Sequence, residues 1–197
     1  MHKKTTTLNE KRQDLTRGLI LDGAFALLKD GAIRELTVRA VAQHAGMSER
    51  TVFRYFPARD ALLDAVAEYL REHMATPALP GTLEGLLAAP GVLYRAFEER
   101  ADHTRAALHP DLVGRVRSLQ AGARWEAVHG LLESIAPQAG EAQRRIAAAN
   151  ICYHLTASSW HYYRTAFGFG LDESIACAET ALRQSLQEIG EAPGRTA

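Results

Sequence analysis

Cysteine is nearly missing: Cys152 and Cys177 are the two in 197 residues. That is too few for a disulfide framework or a cysteine-based metal site, and it fits two small buried residues in a reducing compartment. Long apolar runs are missing too. None approaches the roughly 18 residues of a membrane span. The basic start Met-His-Lys-Lys-Thr-Thr-Thr is followed by no apolar stretch, so no signal peptide and no membrane partner are expected, and the expected location is cytoplasmic. Net charge is zero, so bulk charge does not mark a nucleic-acid binder. Period-two alternation is absent, which argues against strands. No Gly-x-Ser-x-Gly, P-loop, dinucleotide fingerprint or paired catalytic carboxylates are visible, so an enzyme is not expected, and no cofactor is implied. His154 and His161 share a helical face, but about 10 Å separates them. They cannot share one ion at about 2 Å per bond, so no metal site is expected.

What is present is helical periodicity over a chain that is 47% apolar, and the expected fold is all-α. Residues 1–11 read as a flexible basic arm. A helix follows from about Arg12 to Asp30, with Leu15, Leu19, Ile20, Ala24, Leu27 and Leu28 as its apolar face and Gly31 as its stop. Thr37 can cap a second helix to about Ala45, and Ser48 a third to Phe56. A fourth runs from about Arg59 to Met74. The stretch Thr76-Pro77-Ala78-Leu79-Pro80-Gly81 is the clearest break. Beyond it come segments near 82–101 and 103–108, a helix from Asp111 to Ile135, a long helix from Glu141 to Phe167, and a last helix capped by Asp172. The expected division is an arm at 1–11, a small helical domain at 12–58, a larger helical domain at 59–190, and a disordered tail at 191–197.

Residues 37–59 carry the most specific chemistry. Gly46 permits a sharp reversal between two helices, Ala42 and Ala45 permit close packing, and Val41, Met47 and Val52 supply a small core. Arg39, Gln43, Ser48, Glu49, Arg50, Thr51, Arg54 and Tyr55 are left facing outward. A short helix ended by Pro57 and bearing a hydroxyl, a cation and rings can enter a major groove. Charge distribution agrees modestly. Residues 1–54 hold ten Lys/Arg and six Asp/Glu, while the remainder holds thirteen and seventeen. The arm, with Lys3, Lys4, Lys11 and Arg12, fits either phosphate contact or a solvated tail.

The run Ala-Gly-x-Ser-x-x-Thr-x-x-x-x-Phe-Pro-x-Arg-x-x-Leu, at Ala45 to Leu62, resembles the TetR-type transcriptional regulators, and the likeness covers roughly residues 12–70. The resemblance implies a homodimer on double-stranded operator DNA, most often a repressor, released by a small molecule bound in the C-terminal domain. The alternative is a DNA-binding regulator or architectural protein without such a switch. Carried over to this chain, Thr37 and Ser48 would meet phosphate at helix starts. Arg39 would reach a base or a phosphate. Arg50 and Thr51 would lie on the first turn of the reading helix. Arg54 would read a base, and Tyr55 and Arg59 would anchor to the backbone. Phe53 departs from the family, which often has a phosphate-binding Tyr there. Glu49 either accepts from a cytosine amino group or sits favourably at a helix N-terminus.

In the C-terminal half, Tyr94, Phe97, His103, Trp125, His129, Tyr153 and Trp160 mix rings with polar tips, as a ligand pocket would and as an ordinary core would. Trp125 and His129, four apart, share a face. The last two helices are rich in small residues, among them Ala147, Ala148, Ala178 and Ala181. The resemblance places the homodimer interface there. Composition alone fits an intramolecular helix pair equally well.

Overall fold

A computed structural model describes residues 8–30, 35–79 and 81–190. The expectations for Lys3, Lys4, Gly31, Pro80 and the tail 191–197 lie outside the described residues. Among the described residues there are ten helices and no strand: α1 (Leu8–Lys29), α2 (Val38–His44), α3 (Glu49–Tyr55), α4 (Arg59–Met74), α5 (Leu83–Glu99), α6 (Ala101–Ala107), α7 (Val113–Ile135), α8 (Glu141–His154), α9 (Ala157–Ala166) and α10 (Leu171–Gly190). They form two compact units. The first holds the described residues through His73 together with Arg105–Val116. The second holds Met74–Thr104 and residues from Arg117 onward. The division thus falls after most of α4, where the sequence suggested 58/59, and the α6–α7 junction joins the first unit.

In the first unit α1 starts at Leu8, inside the stretch read as an arm. Its buried stripe is Ile20, Leu21, Ala24 and Leu28, at helical spacing. Leu15 and Leu19, expected on that face, lie a step around the helix and are 66% and 48% exposed. Leu36, Val38, Val41, Val52, Phe56, Leu62, Leu63 and Val66 of the same unit are buried as well, and α1 packs on α2. Gly23 marks the tightest crossing. A β-carbon there would stand 2.9 Å from the Ala45 β-carbon and 3.1 Å from its α-carbon, so α1 meets the end of α2 nearly backbone to backbone.

The second unit packs α10 along α8 and α5, with α9 touching α5 and α10. Ala147, Ala148 and Ala178 are buried where these helices approach, so the small residues serve packing within the chain. α5 runs unbroken through Pro90, whose ring is buried.

The long helix expected over 141–167 is two helices. Leu155 leaves helical geometry, and the Thr156 hydroxyl accepts from the Ser159 N–H at 3.2 Å to start α9. The carbonyl of His154 accepts instead from the Tyr94 hydroxyl at 2.9 Å. A side-chain hydroxyl and a distant tyrosine thus replace helix hydrogen bonds. At the next junction Asp172 is not the cap of α10. Glu173 reaches back to accept from the Gly170 N–H at 2.8 Å.

Gly23→Ala is expected to destabilise the protein by about 1–3 kcal/mol through overpacking. Gly18→Ala, on the same helix with nothing within 4 Å, should instead stabilise it by up to about 1 kcal/mol. Urea unfolding of both variants checks the pair.

Candidate nucleic-acid interface

Local chemistry builds the hairpin of α2 and α3. Thr37, in extended geometry, caps α2 by accepting from the Ala40 N–H at 3.1 Å. At the other end Gly46 has φ +65°. The Gly46 N–H donates to the Gln43 carbonyl at 3.3 Å and the Met47 N–H to the Ala42 carbonyl at 2.8 Å. That pair of bonds is a Schellman stop, which needs a left-handed residue and so favours glycine at 46. The chain re-enters a helix at once. Ser48 accepts from the Thr51 N–H at 3.1 Å, and the two hydroxyls lie 2.8 Å apart. Glu49 occupies the first turn of α3, where its charge suits the helix dipole.

Val41 and Val52 are fully buried, and Met47 is half-buried beneath the hairpin. The outer face carries Arg39, Gln43, His44, Ser48, Glu49, Arg50, Phe53 and Arg54, all exposed, while Thr37, Thr51 and Tyr55 are half-buried. His44 was missed in the sequence because it falls in the last turn before the glycine stop. The Arg54 guanidinium lies over the Tyr55 ring at 5.3 Å, which restrains both groups. Among the described residues Arg39, Arg50 and Arg54 make no ion pair, whereas Arg71, Arg115 and Arg164 each bond a carboxylate. Three cations without carboxylate partners on one exposed face suit an anionic partner. Phe53 is 45% exposed and offers that face an apolar surface where a hydroxyl would bond phosphate.

Arg59 has a different environment. Its Nε donates to the Leu36 carbonyl at 3.0 Å, and its Nη2 lies 2.7 Å from Asp111 and 3.4 Å from Glu35. The same Asp111 oxygen accepts from the Leu36 N–H at 2.9 Å. One carboxylate thus ties the segment entering α2, the start of α4 and the α6–α7 junction within the first unit. Burial pushes the Asp111 carboxyl up, but the Leu36 amide and the Arg59 guanidinium outweigh it, and the net shift is downward. Arg115, on α7, adds bonds to Asp60, at 2.6 Å, and Asp64 on α4.

The residues expected to line a ligand pocket lie on α5, α6, α7, α8 and α9. Tyr94, Phe97 and Trp160 are buried against one another as core, with ring centroids 6.2 and 6.0 Å apart along the series. The Tyr94 hydroxyl sits 2.9 Å from the Ser159 hydroxyl, and the Trp160 indole N–H donates to Glu98 at 3.2 Å. Trp125 and His129 stack at 5.3 Å on α7. His103 is half-buried on α6, and Tyr153 is 56% exposed on α8. A separate cleft of about 450 Å³ runs between α8 and α10, lined by Ile146, Asn150, His154, Gln184 and Glu188 among others. Burial holds the His154 imidazole below its ordinary pKa. Among the described residues no group of three or more His, Cys, Asp or Glu could hold a metal ion, and no helix is long and apolar enough to cross a membrane.

The Asp111 carboxyl titrates lower in the folded chain than free, so its stabilising contribution is whole above the unfolded value of about 4 and fades as pH falls through the folded one. The stability gap between wild type and Asp111→Asn should therefore be constant above about pH 5 and narrow below about pH 4. Chemical unfolding across that range measures it.

Comparisons with known proteins agree with this geometry. Residues 20–66 match the family model of bacterial regulatory proteins, tetR family. The HTH-type transcriptional repressor Rv1474c of Mycobacterium tuberculosis (strain ATCC 25618 / H37Rv) is 38% identical over 78 residues, covering 38% of this chain and 42% of that protein. The chain thus spans less than half the length of that curated relative. A TetR variant from Acinetobacter baumannii AYE, crystallised in complex with minocycline, superimposes with a TM-score of 0.55 at 19% identity, covering 86% of this chain and 93% of the other. That likeness shows the fold. Residues 20–66, built around the helix-turn-helix of α2 and α3, thus form a domain of the kind found in bacterial regulatory proteins of the tetR family.

Proposed function

We propose that the protein is a homodimeric transcriptional repressor that binds operator DNA through α3 and leaves it when a small molecule occupies the second unit. The observation that carries the DNA-binding part is the exposed face of α2 and α3, where Arg39, Arg50 and Arg54 pair with no carboxylate among the described residues. Arg54, in the last turn of the reading helix, is assigned to a base, since a guanidinium can bind guanine O6 and N7 together. Arg39 and Arg50 flank it. Thr37 and Ser48, already bonded within their caps, offer helix-start N–H groups to phosphate. Thr51 and Tyr55 border the same face. Arg59 is assigned a holding role in place of a phosphate contact, because Asp111 and Leu36 already occupy its guanidinium.

Repression is supported by the repressor named above, and a small-molecule signal by the minocycline-bound neighbour. The homodimer is assigned to the α8–α10 face. Ile146, in the lining of the cleft there, and Tyr153, seven residues on and so on the same side of α8, are 64% and 56% exposed. Apolar groups held open on a helix pair suit burial against a second copy.

Arg54→Ala should weaken binding to the DNA upstream of the protein's own gene by about 1–3 kcal/mol and relax the base preference at one position. Fluorescence anisotropy over single-base variants of the site reads both effects. Equal binding of wild type and variant to every duplex would remove the base-reading role. Ile146→Glu should shift sedimentation from dimer toward monomer while leaving the helical content unchanged. A monomeric wild type would refute the assembly.

A further inference from the structure

On α7 the side of the helix turned to the interior of the second unit is Gln120, Arg124, Val128 and Leu132, at intervals of four. Val128 and Leu132 are 1% and 0% exposed. Gln120 and Arg124 are half-buried, while residues 117–119, 121–123, 126 and 127 on the other sides are exposed. A guanidinium therefore stands on the packing stripe, where an apolar residue is the usual occupant. Its direct bond is to a neutral group: Arg124 Nη2 donates to the Gln120 amide oxygen at 3.2 Å. The Gln120 amide nitrogen in turn donates to the Thr76 hydroxyl at 3.2 Å, which fixes the amide so that its oxygen faces the cation.

No carboxylate pairs with Arg124 among the described residues. The Cys152 thiol on α8 donates to the Arg124 carbonyl at 3.9 Å. Burial pushes that thiol upward, so it remains neutral and supplies no counter-charge. Burial also drives the Arg124 guanidinium down from its ordinary range. Among the described residues three further polar atoms of this unit are buried without a partner: the Thr104 hydroxyl, on a residue with no exposure, His129 Nε2, one helical turn beyond Trp125, and Arg144 Nε. A partly desolvated cation with no counter-ion is costly in the free protein. A carboxylate offers it two parallel charge-assisted bonds.

We propose that the second unit binds an organic carboxylate, and that Arg124 is its counter-ion. The proposal deepens the effector reading given above and rests on it. Gln120 holds the guanidinium in place, and the half-buried position of Arg124 leaves part of it open to a ligand.

The test compares thermal unfolding of the full-length wild type, Arg124→Met and Arg124→Lys, alone and with sodium octanoate or benzoate. The matching neutral amides, octanamide and benzamide, serve as controls. Arg124→Met should melt above wild type in the absence of ligand, because an unpaired charge is removed. At least one carboxylate should raise the wild-type midpoint well beyond its amide. Arg124→Met should lose that gain and Arg124→Lys should keep part of it. Equal responses to acid and amide, an equal gain in Arg124→Met, or a lower midpoint or failure to fold for Arg124→Met would overturn the proposal. Each protein is also assayed on the upstream DNA without ligand. Loss of DNA binding by the wild type would refute the regulator while leaving the carboxylate result standing. Normal DNA binding with no carboxylate effect would refute this site alone.

Discussion

A β-carbon at position 23 would lie 2.9 Å from that of Ala45, so the hairpin can seat against α1 only because residue 23 has none. That contact fixes where α2 ends. One residue later the left-handed Gly46 turns the chain, and Ser48 caps the next helix within three residues of Ala45. The aim of α3 therefore follows from a backbone contact, a glycine turn and a serine cap in direct succession. Together the three decide which side chains of α2 and α3 face outward. Arg39, Arg50 and Arg54 reach the surface because Val41 and Val52 are pinned beneath them.

A second constraint steadies the same unit from the opposite side. Asp111 holds the Leu36 N–H and the Arg59 guanidinium with a single oxygen. Leu36 is itself fully buried and stands just before the Thr37 cap, so the carboxylate fixes the entry to α2. Arg115 binds two carboxylates of α4 nearby. These pairs are partly exposed, so each contributes modestly. Their value lies in geometry, since they join segments far apart in the chain around one helix pair.

The parts legible in the sequence are those whose cause is local. Thr37, Gly46 and Ser48 act on N–H and carbonyl groups within a few residues, and so does the break after Thr76. α4, at Arg59–Met74, ends where its apolar spacing ends. The parts that were not legible depend on distant partners. Gly23 answers to Ala45, Arg59 to Asp111 fifty-two positions on, and the break before α9 to Tyr94 sixty positions back. Leu15 and Leu19 carry the right spacing for a buried face, but spacing alone does not reveal how far a neighbouring helix extends. The rings of Tyr94, Phe97 and Trp160 read equally as pocket or core, because their burial against one another depends on distant packing. Arg124 escaped notice because a lone arginine in a helix usually faces water.

The central claim is that two copies of α3, related by a two-fold axis, read DNA together. Selection of bound duplexes from a random-sequence pool by the full-length protein tests it most directly. Two-fold symmetry in the protein requires the recovered sites to be inverted repeats, with half-sites set by the spacing of the two reading helices. Enrichment of such a repeat is the expected result. A pool that stays random after repeated rounds, or that converges on a single unrepeated element, would contradict it.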